Sequence, residues 1–179
     1  MGVRRVVTGH SADGKAIVAS DEMVEPIRLA LLPGSEFVRL WGADAPPEFP
    51  DDGTMPAHHA YFPPVGGFRF GLFTVPPATD VVIGDLDLGV AFGEMEEALP
   101  GLAAHMEPDH PGMHTTATID YEFVVSGSVV LELDDGTEVE LHAGDTVIQN
   151  GTRHAWRNRG TEPCQLVVVL IGAPNRAVT

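Results

Sequence analysis

The sequence predicts an all-β fold, two antiparallel sheets closed into a jelly-roll barrel, on three observations. Twenty glycines and fifteen prolines punctuate the chain at short intervals. Short β-branched and aromatic runs lie between them, the pattern of a sandwich or barrel. In the second half the connections are tight turns, and antiparallel strands joined this way protect their edges as a double-sheet jelly roll.

Along the first half the elements are loosely organised. Arg4 to Thr8 and Lys15 to Ala19 flank Ala12-Asp13-Gly14, a hairpin turn. Glu36 to Trp41 reads as a strand, and Phe68 to Val75 as the next. Between them runs a Pro- and Gly-rich loop from Ala43 to Gly67, holding His58, His59 and Tyr61. Loops of this length serve as lids, binding loops or subunit contacts. One short helical segment is expected over Phe92 to Ala104. Glu94, Glu96 and Glu97 suit its first turn, Met95, Leu99 and Leu102 stand at helical spacing, and Pro100 interrupts it.

The second half is regular. His114 to Val125 predicts a strand. Ser128 to Leu133 and Thr137 to His142 predict a hairpin around Asp134-Asp135-Gly136. Thr146 to Gln149, His154 to Asn158 and Gln165 to Ile171 complete the set. The 179 residues are expected to form one domain: a β-rich N-terminal extension over 1–106, packed on a barrel core over 107–173.

Composition narrows the functions. Ten Lys and Arg against 26 Asp and Glu give a formal net charge of −16. Such a surface repels phosphate backbones and anionic lipid, so neither nucleic acid nor membrane is expected as a partner. No apolar run approaches the roughly 20 residues of a membrane helix. The single cysteine, Cys164, leaves no intrachain disulfide, and a cytoplasmic setting is expected.

Alternate residues of a strand face the same side. From His114 the even positions are Thr116, Thr118, Asp120 and Glu122, and the odd positions are more apolar. This polar stripe lines the interior of a ligand-holding barrel, or it belongs to a strand whose polar face is simply solvated. Buried carboxylates need partners, and a metal ion is one.

Further along, Gly151, His154 and Asn158 stand at the spacing G-x-x-H-x-x-x-N, preceded by Gly144. This resembles the second motif of the cupin superfamily, with a loop one residue shorter and without the motif's proline. The upstream stripe then resembles the first cupin motif. His114 falls on its first histidine and Asp120 on its glutamate, while Thr116 stands in place of the second histidine and Pro108 in place of the leading glycine. The resemblance spans Glu107 to Ile171 and implies a cupin-type double-stranded β-helix. It also implies a divalent metal (Fe, Mn, Zn or Ni) on His114, Asp120 and His154. With Asp120 as a ligand, Glu122 becomes the candidate proton shuttle. Thr116, Gln149 and Trp156 are candidate substrate-binding residues.

The expected function is a small metal-dependent enzyme acting on a small organic molecule, aromatic or carbonyl-containing, of the oxygenase or the isomerase and lyase type. The alternative is a metal-free module that binds a small ligand without catalysis. A homodimer is expected as the assembly.

Overall fold

Ten strands and two helices form in a computed structural model, which describes residues 2–78 and 86–175. Strands β1 (Val3–His10) and β2 (Ala16–Val24) make a two-stranded antiparallel ribbon. Two further sheets carry the rest. The larger contains β3 (Glu36–Ala43), β4 (Phe68–Val75), β5 (Thr118–Ser126), β8 (Thr146–Asn150) and β10 (Cys164–Gly172), in the order β3-β4-β10-β5-β8. The smaller contains β6 (Ser128–Glu132), β7 (Glu138–His142) and β9 (Ala155–Arg157), in the order β7-β6-β9. The five-stranded sheet thus mixes strands from both halves of the chain.

The two sheets face each other across one apolar cluster. Val124, Leu166, Val168 and Leu170 enter it from the larger sheet, and Val129, Leu131 and Leu141 from the smaller. Alternation decides which side chains enter. On β5, Thr118, Asp120, Glu122 and Val124 are buried while Tyr121, Phe123 and Val125 are exposed. The even-numbered polar stripe therefore faces inward, and the solvated alternative is excluded. Cys164 is fully buried in this cluster, and burial raises its thiol pKa to about 11, so it is an inert packing residue.

The helical region breaks around Pro100, as expected, and differs from expectation in its start. Helix α1 spans Leu88–Ala98, beginning before Phe92, and α2 spans Leu102–His105. The start is set by Asp87, whose carboxylate accepts from the Gly89 and Val90 amides at 3.0 and 3.2 Å. Met95, Leu99 and Leu102 pack together with Leu29 and Phe37 in a second apolar cluster that lays both helices along the barrel. The strand expected from His114 begins at Thr118; His114 itself pairs by an isolated bridge with His154.

The long loop after β3 is tied down. Arg69 donates to the Ala43 and Ala60 carbonyls at 2.8 and 3.0 Å and to Asp44 at 2.5 Å. The Tyr61 amide donates to the Pro100 carbonyl at 2.8 Å. These bonds bring Tyr61 and Phe62 against the barrel mouth, where the rings meet edge to face at 4.9 Å.

Candidate functional site

A cavity of about 810 Å³ opens between the two sheets, the two helices and the Tyr61 loop. A volume of this order accommodates a drug-sized molecule. His114, Asp120, Glu122, His154 and Trp156 all line it. Thr116 and Gln149 are buried nearby but are not part of its wall. Gln149 stands opposite Asp120 across the β5–β8 pair, and Thr116 hydrogen-bonds Thr118 at 2.8 Å.

His154 is brought to the cavity by a turn that only a glycine closes easily. Gly151 has φ +62°, and a Cβ there would lie 3.0 Å from the Thr116 carbonyl oxygen. Beyond it, the His114 and His154 backbones exchange two hydrogen bonds of 2.9 Å, and the rings lie 4.2 Å apart between centroids. Each Nδ1 sits against a carbonyl oxygen, that of Gly112 at 3.0 Å and that of Thr152 at 2.9 Å. Carbonyls only accept, so each Nδ1 carries the proton and each Nε2 keeps its lone pair. Burial, reinforced by His114, lowers the His154 pKa to about 4, and burial lowers that of His114 as well. Both rings are neutral bases near pH 7.

The two carboxyls form the polar floor. Oδ1 of Asp120 and Oε2 of Glu122 are buried without a hydrogen-bond partner, as is Nε2 of Gln149. Burial raises Asp120 to about 6, offset in part by the Thr118 hydroxyl. Glu122 is raised to about 8 by burial and by the neighbouring Asp120. The Tyr61 phenol, also on the wall, is raised by burial, with Arg39 acting in the opposite sense.

The donor set meets the metal expectation only in part. Two imidazoles with free Nε2 atoms, oriented through their Nδ1 hydrogens, are suited to a divalent ion. Among the described residues, however, no three His, Cys, Asp or Glu side chains stand close enough to hold one together. His114, Asp120 and His154 nevertheless share the wall of one cavity.

Several residues of the site carry no signal in the sequence. Tyr61, Phe62 and Phe37 come from the loop and from β3, far from the motif segment. Arg153 is held by two carboxylates. Its Nε and Nη2 grip Glu107 at 2.7 Å each, and its Nη1 reaches Asp134 at 2.8 Å. Asn158 of the second motif is structural. It donates to the Val75 and Glu162 carbonyls at 2.9 and 2.8 Å and accepts from the Gly160 amide at 2.9 Å.

Residues 103–170 match the family Cupin_2, the cupin domain. The chain is 49% identical over 47 residues to phomopsin biosynthesis cluster protein C′ of Diaporthe leptostromiformis, a match covering 26% of this chain and 25% of that protein. It is 38% identical over 65 residues to oryzines biosynthesis cluster protein J of Aspergillus oryzae, covering 34% of this chain and 36% of that one. It therefore spans only a quarter to about a third of the curated relatives it matches. Among solved structures it is similar to the Schizosaccharomyces pombe Cnp3 cupin domain, with TM-score 0.49 and 12% identity over 94% of this chain and 87% of that one. No helix among the described residues is long and apolar enough to cross a membrane.

Proposed function

We propose that the protein is an enzyme that moves protons on a small organic molecule inside the cavity, of the isomerase or lyase type. The observation that carries this reading is the pairing, in one cavity, of neutral imidazoles with free Nε2 atoms and buried carboxyls with unpartnered oxygens. His154 is assigned as the base, with the His114 ring tilted beside it. Glu122, held protonated through neutral pH, is assigned as the acid that returns the proton. Trp156, 5.9 Å from the His154 ring and nearly perpendicular to it, forms a wall for the substrate body. Similarity to proteins of two fungal biosynthesis clusters supports small-molecule metabolism as the setting.

The test is proton exchange. Small ketones, enols and hydroxy compounds are screened by NMR in deuterated water for solvent deuterium entering the substrate. His154→Ala and Glu122→Gln are each expected to lower the exchange rate by about 10²-fold or more. Unchanged exchange in both variants overturns the assignment, and ligand binding without any exchange favours the non-catalytic binding module. The rate is expected to be highest between the two titrations, with a step near pH 6 where Asp120 ionises. It falls below, as His154 takes up a proton, and above, as Glu122 loses one.

Elemental analysis of unchelated protein, before and after refilling with Fe, Mn, Zn or Ni, tests the metal separately. Stoichiometric metal lost in His154→Ala would move the chemistry to an ion-assisted reaction.

A further inference from the structure

The charges around the cavity are unevenly spent. Glu132 and Glu138 of the wall are paired with Arg157 and Arg159, and Glu107 with Arg153. These pairs use both arginines of the wall. Among the described residues, Asp120 and Glu122 are the acidic side chains of the wall left without an ion pair. Asp120 is 3% exposed and Glu122 7%, and each keeps an oxygen with no donor. A carboxyl offers an acceptor oxygen whether it is ionised or protonated, so the floor asks for donors in either state. Around it the wall is apolar and aromatic, with Phe37, Phe62, Phe73, Met95 and Trp156.

We infer that the cavity takes an uncharged or cationic small molecule with an apolar body, whose hydroxyl or amine head donates hydrogen bonds to Asp120 and Glu122, and that it rejects organic anions. The inference rests on the cavity being the working site and adds the class of molecule it accepts. A donor head satisfies the two orphaned oxygens, and an ammonium head also contacts aromatic faces favourably. A carboxylate or phosphate head would meet two carboxyls and no unpaired wall cation.

The experiment compares head groups on one body. Binding of phenethylamine, 2-phenylethanol and 3-phenylpropionate to the full chain is measured by calorimetry at pH 7.5. The amine, the alcohol or both are expected to bind at least tenfold tighter than the acid, and which of them binds better identifies the head. The surface carries a net charge of −16, so the series is repeated at high salt, where long-range repulsion of anions is screened. Discrimination that persists supports the floor as its source; discrimination that vanishes overturns it. Glu122→Gln and Asp120→Asn, with the fold checked by circular dichroism, are each expected to weaken the favoured probe at least tenfold. The acid binding as well as the other two overturns the inference while leaving the cavity as the binding site. Binding of none of the three, at concentrations up to the millimolar range, overturns both.

Discussion

Glu122 and His154 make opposite demands on pH. The Glu122 carboxyl has a folded-state pKa of about 8, above its ordinary 4.5, so the folded protein holds this proton more tightly than the unfolded chain does. Its contribution is fully present below pH 4.5 and is lost as pH rises through 8. His154 has a folded-state pKa of about 4, below its ordinary 6.5, and costs stability as pH falls from 6.5 through 4. Glu122→Gln is therefore expected to raise the thermal midpoint at pH 8.5 and to flatten its fall between pH 6 and 8.5. A gain of about 1 kcal/mol corresponds to about 2–4 °C for a domain of this size. Thermal melts across this pH range decide it, and an unchanged slope would show that Glu122 is not buried against its charge. The positions of these two residues are legible in the sequence. A period of two along β5 places Asp120 and Glu122 together, and the G-x-x-H-x-x-x-N spacing marks His154. Their pKa values are not legible, because they depend on burial by residues distant in the chain.

At the scale of elements, local signals predict the strands of the second half and predict the segments around the site less well. The turns between β5 and β10 are short, so each strand begins close to where its glycine or aspartate ends the last. The start of α1 was hidden in a single capping side chain, Asp87, ahead of a segment without acidic residues in its first turn. The loop from Ala43 to Gly67 is fixed by Arg69 reaching backbone carbonyls, and a carbonyl carries no side-chain signature. That is why Tyr61 and Phe62 could be located in a loop but not on the cavity wall. Asn158 shows the reverse case, a motif residue whose position is legible and whose role is architectural. Its side chain joins the end of β4 to the turn after β9 through three hydrogen bonds. Asn158→Ala leaves buried backbone groups unpaired and is expected to cost about 1–3 kcal/mol in chemical denaturation. A loss within about 0.5 kcal/mol, the range of ordinary surface substitutions, would show that these bonds are readily replaced by water.

For the whole molecule, the polarity of β5 is inverted, with carboxyls turned in and apolar side chains turned out, and this bears on the expected homodimer. Ile148, Tyr121, Val169 and Phe70 form one row across four strands of the large sheet. Phe123 and Ile171 extend the same outer face. Tyr121 and Phe123 are each 44% exposed and Ile148 49%, and no charged residue stands among them. Two copies that each carry a net charge of −16 repel one another across most of their surface. They approach at least cost where charge is absent and apolar area can be buried, which is this face. A stable dimer needs about 800 Å² from each partner. Sedimentation velocity at micromolar concentration is expected to give a dimer that strengthens as salt screens the repulsion. Phe123→Glu places a charge in the middle of the face and points away from the cavity. It is expected to yield a monomer that still binds the favoured head-group probe. A wild-type monomer at every salt concentration, or a Phe123→Glu protein that remains dimeric, would show that copies of this chain do not meet through the outer face of the large sheet.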